Sequence, residues 1–283
     1  MVVAVGYDGG DAAAWSSSDG GASWRFTDGF AVTGLTRLRA IAVAPDGAFL
    51  AFGRHVDGAI DDGMLWRSTD GGVWSRVEAP AFEGDGIQVV SEVVTVGDTM
   101  VAVGSGTGPT GSIDAAAWES DGTAWKRVDP QIFAQSANQL FSDVAAVGDT
   151  VVAVGSQQDA FDADLSDSEA VAWVRDGSGT WSEARLSPEN GPSSLGAVIS
   201  AQDRYFLAAG WATKKSEGQN AAVWASIDGD TWTRQPSTVK TQQLEGPGSQ
   251  AIRALELFEE KHRVLAFGEG ESGAELWTGG LRS

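Results

Sequence analysis

The feature that most constrains this chain is a pair of tryptophans, separated by a short polar turn, that recurs at a nearly fixed spacing. The first member of the pair recurs at intervals of 51, 52, 55, 51 and 53 residues, at Trp15, Trp66, Trp118, Trp173, Trp224 and Trp277. A second tryptophan follows the turn in five copies, at Trp24, Trp74, Trp125, Trp181 and Trp232. A fixed period of this length is typical of repeat folds, in which each copy buries its apolar face against a neighbour.

Each period contains the signals of four short β-strands. An inner strand such as Arg39–Val43 leads through a glycine–aspartate turn to an apolar run that closes on glycine, such as Met100–Gly104. A polar loop then precedes the two tryptophan strands, whose connecting turn contains serine, aspartate and glycine. The pattern predicts an all-β fold, a β-propeller of six blades with mostly four antiparallel strands each. We predict one domain over 1–283, with repeats over 1–36, 37–86, 87–139, 140–194, 195–250 and 251–283.

The two terminal repeats are incomplete in different ways. The first has no candidate inner strand before Met1–Gly6, and the last has no fourth strand after Ala274–Thr278. Because the two deficits fall in different blades, sharing one blade between the termini completes neither. We therefore expect the native chain to extend beyond one or both ends, and an upstream signal that has been removed would favour an extracellular or cell-surface location.

The turn sequence resembles the Asp-box, or BNR, repeat, which has the form Ser-x-Asp-x-Gly-x-Thr-Trp. The copies begin at Ser17, Ser68, Ser120, Asp176 and Ser226, and the resemblance covers almost the whole chain. Sialidases, sortilin-type receptors and photosystem II assembly propellers carry this repeat. The resemblance implies that each box lies on the hairpin between the third and fourth strands of a blade. It specifies a fold much more strongly than a function, because the box aspartate and glycine serve the turn itself.

The composition argues against several classes of partner. The formal net charge is −20, from 19 basic and 39 acidic residues, so a phosphate backbone or an anionic membrane finds no basic face. Cysteine is absent, which excludes disulfides and thiolate metal sites. No apolar run reaches the length of a membrane span. The low lysine content and the abundance of alanine, glycine and aspartate are associated with high-GC bacterial or salt-adapted sources.

Four charged residues provide the most specific indication of a ligand site. Aligning the inner strands places them near one position at the strand start, and they are Arg39, Glu92, Asp143 and Arg253. In a propeller that position lines the central channel near the face that carries the longest loops, here called the loop-rich face. Two arginines and two carboxylates there predict a site for a carboxylate- or sugar-bearing ligand. The alternative is a water-filled channel in which these charges pair with one another.

Two other features lie on the predicted loops. Trp211 follows Gly210 and is either an exposed aromatic for sugar stacking or partner contact, or a packing residue. The segment 159–169 carries five acidic residues, but an EF-hand is excluded because Asp167 and Trp173 occupy the required glycine and glutamate positions. A looser divalent cation site stays open there, beside a simple solvated acidic loop.

Catalysis finds little support in the sequence. Sialidases of this repeat family use an arginine triad and a tyrosine nucleophile, whereas the only tyrosines here, Tyr7 and Tyr205, lie at ends of second strands. We predict no catalytic residue, no cofactor and no metal ligand. The sequence favours a non-catalytic propeller that binds a protein partner, or a small-molecule or carbohydrate ligand, on its loop-rich face. The alternatives are a glycoside hydrolase that uses Glu92 and Asp143 as paired carboxylates, and a structural module of a longer secreted or surface protein.

Overall fold

The structure, a computed structural model, describes residues 1–30, 32, 34–57, 60–84, 86–122, 124–159, 166–189, 191–214, 218–236, 244, 249–258, 263–270 and 273–280. Within these ranges nearly all regular structure is β, and no described helix is long or apolar enough to cross a membrane. The all-β prediction is confirmed. The chain divides into two compact units, Met1–Ala134 and Gln135–Ser283, with three sheets in each, and all described strand pairs but one are antiparallel.

The first unit contains sheets of three, four and four strands. The sheet order follows the chain order, as expected for hairpins joined by tight turns. The strands are β1 Val2–Asp8, β2 Asp11–Ser17 and β3 Arg25–Thr27, then β4 Leu35–Val43, β5 Phe49–Asp57, β6 Ile60–Ser68 and β7 Ser75–Val77, then β8 Gln88–Val96, β9 Thr99–Thr107, β10 Ile113–Ser120 and β11 Trp125–Arg127. Two single-turn 3-10 helices, Pro80–Phe82 and Pro130–Ile132, follow the second and third sheets.

The second unit repeats this plan with sheets of four, five and three strands. Its strands are β12 Asn138–Val147, β13 Thr150–Gln158, β14 Glu169–Arg175 and β15 Trp181–Glu183, then β16 Arg185–Leu186, β17 Ser193–Ala201, β18 Tyr205–Lys214, β19 Gly218–Ser226 and β20 Thr231–Arg234, then β21 Ala251–Phe258, β22 Arg263–Gly270 and β23 Gly273–Gly280. The fifth strand of the middle sheet is β16, a piece of the connecting segment that pairs in parallel with β20. An ion pair between Arg185 and Asp230 joins the same two elements.

The incomplete terminal repeats are confirmed among the described residues. The first sheet has the order β1-β2-β3, and its β2–β3 hairpin carries the tryptophan turn, so the strand that is missing is the inner one. The last sheet has the order β21-β22-β23 and contains the inner, second and third strands. The other four sheets are complete, as the repeat predicts.

Within each unit, the tryptophans of one sheet pack against the sheet that precedes it. Trp118 and Trp125 of the third sheet cluster with Phe52 and Phe82 at ring separations of 5.3 to 5.4 Å. Trp232 of the fifth sheet packs in the same way against the fourth sheet. A buried aromatic side chain removes roughly 150–250 Å² from water, so these contacts supply much of the cohesion between neighbouring sheets.

The turn between the two tryptophan strands is held by its own aspartate. In the fifth sheet Asp228 Oδ1 accepts hydrogen bonds from the backbone N–H groups of Asp230 at 3.0 Å and Thr231 at 2.9 Å, and from the Ser226 hydroxyl at 2.9 Å. These bonds, that from Thr231 foremost, hold the pKa of Asp228 below its ordinary value. Gly229 in this turn has φ +79°, a conformation that favours glycine. The pKa is lowered for the same kind of reason at Asp19, Asp70 and Asp176.

Candidate functional site

Each of the five inner strands that the structure describes contains a β-bulge. In each case the pairing with the second strand skips one residue, which is Arg39, Ser91, Ser142, Gly196 or Arg253. A bulge places two residues of one strand opposite a single residue of its partner and re-aims the side chains around it. The five bulges are therefore a structural alignment of the inner strands that does not depend on residue similarity.

This alignment corrects the sequence-based one. Arg39 and Arg253 are the bulged residues of their strands, whereas Glu92 and Asp143 each follow the bulged residue by one position. Arg39, Glu92 and Asp143 also lie four or five residues after the first residue of their strands, whereas Arg253 is only two residues after the start of β21. In three repeats the bulged residue is serine or glycine, which does not stand out in the sequence. The sequence alignment therefore matched the charged residue that follows the bulge, Glu92 or Asp143, with the bulged arginines.

In the first unit the structure places Arg39 and Glu92 on neighbouring inner strands, β4 and β8. Glu92 Oε1 accepts a hydrogen bond from the backbone N–H of Val93 at 2.9 Å. Sequence reasoning missed Arg37, whose guanidinium lies 4.6 Å from the ring centroid of Tyr7 in a cation–π contact. The signal for it was its position on β4, two residues before Arg39 and thus on the same side of the strand.

In the second unit Asp143 connects two inner strands. Its Oδ1 accepts the backbone N–H of Val144 at 2.8 Å, and its Oδ2 accepts the backbone N–H of Val198, on β17, at 2.7 Å. Burial raises the pKa of Asp143 to about 6, and the two hydrogen bonds offset only part of this rise. Both carboxylate oxygens thus bind backbone, a structural role that the sequence did not predict.

We expect Asp143 to make the protein less stable as the pH rises from about 4 to about 6, because in that interval the unfolded chain releases a proton that the folded chain retains. The rise of the pKa from 3.8 to about 6 corresponds to roughly 3 kcal/mol. We therefore compare the free energies of unfolding of Asp143→Asn and wild type in urea at about pH 4 and about pH 7.5. The difference between variant and wild type should shift in favour of the variant at the higher pH, by up to that amount. The exposed Asp149→Asn is the control, and a wild-type-to-Asp143→Asn difference that does not vary with pH would contradict the assignment.

A cavity of about 500 Å³ opens at the start of β21, on the loop-rich face of the second unit. Arg253 lines it, and its Nη2 lies 3.6 Å from Glu269 Oε2, with 55% and 70% of the two side chains exposed. The other lining residues are mainly polar, namely Gln219, Ser249, Gln250, Ala251 and Gly270. Antiparallel pairing of β21 with β22 brings the start of one strand next to the end of the other, which explains why residues so far apart in sequence line one cavity.

Trp211 does not provide an exposed aromatic face. Only 3% of the residue is exposed, because β18 continues to Lys214 and includes Trp211 in a strand paired on both sides, with Ser194 and Ala221. The sequence had placed a loop from residue 211 onward. The structure therefore favours the packing alternative for this residue.

The acidic segment 159–169 lies only partly within the described residues. Residues 160–165 of the acidic segment lie outside the described residues, so the divalent cation site that the sequence left open there is not tested. At the edges of that segment the backbone N–H of Asp159 donates to Asp167 Oδ2 at 2.9 Å. Over the described ranges no group of three or more histidine, aspartate or glutamate side chains is arranged to hold a metal ion.

The four charged residues Arg39, Glu92, Asp143 and Arg253 are divided between the two units. Arg39 and Glu92 belong to the first unit, and Asp143 and Arg253 lie on β12 and β21 of the second, which both pack against β17. That the four line one channel stays a prediction.

Comparison with known proteins gives matches in structure alone. No family model and no curated protein matches the sequence. A mutant of the NanB sialidase from Streptococcus pneumoniae aligns with a TM-score of 0.56 at 9% identity, over 94% of this chain and 62% of that one. YjhT aligns with a TM-score of 0.55 at 11% identity, over 97% and 92%. A Trypanosoma rangeli sialidase in complex with sialic acid aligns with a TM-score of 0.54 at 15% identity, over 90% and 47%.

The sheets and these likenesses define the class of protein. The chain has the β-propeller fold, with six blades of small antiparallel sheets. It spans about half to three-fifths of the two sialidase chains, and at identities of 9 to 15% the likeness establishes the fold alone.

Proposed function

We propose that this protein is a non-catalytic Asp-box propeller that binds a partner or small ligand on its loop-rich face. The observation that carries the proposal is the cavity at the start of β21, in which the half-exposed guanidinium of Arg253 is surrounded by amide and hydroxyl side chains. The Asp-box assignment is supported by the recurrence of one turn geometry, with an aspartate that accepts backbone N–H groups at Asp19, Asp70, Asp176 and Asp228.

The chemistry of the cavity favours a small polar ligand that carries a carboxylate or neighbouring hydroxyl groups. A guanidinium presents parallel N–H donors that match a carboxylate, and this pairing is among the stronger hydrogen-bonding arrangements in proteins. The ion pair of Arg253 with Glu269 is solvent-exposed, and such pairs contribute only about 0–1 kcal/mol, so a ligand carboxylate can displace it at little cost. Gln219 and Ser249 add neutral donors and acceptors for ligand hydroxyls.

The test is the binding of carboxylate-bearing monosaccharides, compared with their uncharged amides, measured by ligand-observed NMR on the full chain. We expect the acids to bind and Arg253→Ala to weaken them by about tenfold or more, which corresponds to 1.4 kcal/mol. Arg263→Ala, an exposed arginine at the opposite end of the same sheet, is the matched control and should bind as wild type does. Equal affinity in Arg253→Ala and wild type, or binding of the amides alone, would remove this site.

Glycoside hydrolysis is the second candidate, and one observation favours it. The pKa of Asp143, raised to about 6 by burial, lies in the range that suits a general acid at neutral pH. Against this role, both of its oxygens already accept backbone hydrogen bonds. Turnover of any member of a chromogenic glycoside panel, lost in Asp143→Asn and in Glu92→Gln, would establish hydrolysis and overturn the non-catalytic proposal.

A further inference from the structure

Trp24 differs from its counterparts in the other repeats. It is 46% exposed, whereas Trp74, Trp181 and Trp232 are between 1 and 8% exposed. Its ring is nevertheless fixed in the same way, since Trp24 Nε1 donates to the Gly21 carbonyl at 3.1 Å and Trp232 Nε1 donates to the Gly229 carbonyl at 2.8 Å. Trp24 is thus an indole with a defined orientation whose surface is open to solvent.

The exposed indole borders a cavity of about 320 Å³ that lies between the tryptophan turns of the first and second sheets. The other residues that line it are mostly polar and include Ser16, Ser18, Ser23, Arg25 and Asp70. Asp70 is held in place, because its Oδ1 accepts the backbone N–H groups of Gly72 and Val73, each at 2.9 Å. The cavity therefore combines one aromatic surface with several polar side chains, of which Asp70 and Ser23 are held by hydrogen bonds.

We infer that this cavity is a binding site for a neutral hexopyranose, separate from the site proposed at Arg253. The C–H face of a pyranose ring is apolar and packs on an indole, while the hydroxyls around its edge require the mixed donors and acceptors found here. The volume lies at the low end of the roughly 300–1,000 Å³ typical of ligand sites, which suits a single sugar. The carboxylate of Asp70, which lines this cavity, disfavours an anionic ligand here.

The side chains at the rim favour a sugar over a purely apolar ligand. Ser23 Oγ donates to Asp19 Oδ2 at 2.6 Å, which leaves the lone pairs of that hydroxyl oxygen as acceptors. Arg25 contributes only donors, and Asp70, when ionised, only acceptors. A vicinal diol, in which each hydroxyl both donates and accepts, is the simplest group that satisfies such a set.

The experiment is a titration of the ¹⁵N-labelled full chain with methyl glucopyranoside, galactopyranoside and mannopyranoside, observed at the indole N–H resonances. Trp24→Phe identifies the Trp24 signal by its disappearance. We expect at least one glycoside to shift that signal without shifting the indole signal of Trp232. Trp24→Ala should weaken binding by about tenfold or more, while Phe26→Ala, an exposed aromatic nearby in sequence that does not line the cavity, should not.

Three results would overturn the inference. The Trp24 signal could stay unchanged with all three glycosides, or respond only to glucuronate, which would make the ligand anionic. Alternatively, Trp24→Ala could lower the melting temperature as much as Trp118→Ala does, which would mean that a packing partner covers this indole in solution. Arg253→Ala should leave the titration unchanged, so failure here and failure of the site on the loop-rich face are separate outcomes.

Discussion

Replacing Trp118 with alanine is expected to lower the free energy of unfolding by about 3–5 kcal/mol, the range measured for buried aromatic residues. Trp118 is fully buried, lies 5.4 Å from the ring of Phe82, and donates from Nε1 to the Ala81 carbonyl at 2.8 Å. The substitution both opens a cavity between two sheets and leaves a carbonyl without its donor. Urea unfolding monitored by circular dichroism measures the effect.

Trp24→Ala is the matched control for Trp118→Ala, because it removes the same side chain from the repeat where the indole is exposed. We expect its cost to stay below about 1 kcal/mol, as is usual for surface substitutions. Trp118→Phe should fall between the two, since it retains part of the apolar contact and loses the hydrogen bond to Ala81. A small effect of Trp118→Ala would show that the tryptophans do not hold neighbouring sheets together.

Gly104→Ala should be comparably damaging, with an expected loss of about 3 kcal/mol or more, at or above the usual cost of overpacking. Gly104 ends the apolar run of its second strand and lies opposite the bulge of β8, where an added Cβ would overlap the carbonyl oxygen of Val89. That oxygen belongs to backbone and moves only if the bulge is lost. Thermal and urea unfolding of the purified variant measure the loss.

Gly6 provides the control for this prediction within the same chain. It occupies the equivalent repeat position in the first sheet, which has no described inner strand, and an added Cβ there meets only the Trp15 ring, at 3.4 Å. We therefore expect Gly6→Ala to change the free energy of unfolding by less than about 1 kcal/mol. Similar losses in both variants would mean that the bulge is not the reason for the glycine.

The bulge also explains how the sequence-based site differs from the structural one. The sequence identified the four charged residues but aligned Glu92 and Asp143 with the bulged positions of Arg39 and Arg253, one residue too far along. It did not predict that the Asp143 carboxylate connects β12 to β17, or that Arg37 covers Tyr7. Each of these depends on a neighbouring strand, which no pattern within a single repeat encodes.

The exposure of individual tryptophans also separates what the sequence predicts from what only the structure decides. The repeat correctly indicated that most of them are buried between sheets, yet it gave Trp24 the role of its counterparts and left open whether Trp211 is exposed or packed. In the structure Trp24 is exposed, and Trp211 is buried because the hairpin β18–β19 is longer than predicted. The exposure of a side chain depends on which other residues pack against it, so similar local sequences can differ in exposure.

The sequence by itself determined the number of repeats, the order of strands within each, the two incomplete ends and the turn chemistry. These features depend on interactions among residues close in the chain: alternation along a strand, an aspartate that accepts N–H groups of its own turn, and glycine where φ is positive. Only the tertiary structure decided the bulged register, the backbone hydrogen bonds that the Asp143 carboxylate accepts, the polar cavity beside Arg253 and the solvent exposure of the Trp24 indole. These depend on contacts between strands that are distant in sequence, and such contacts form only when the sheets pack.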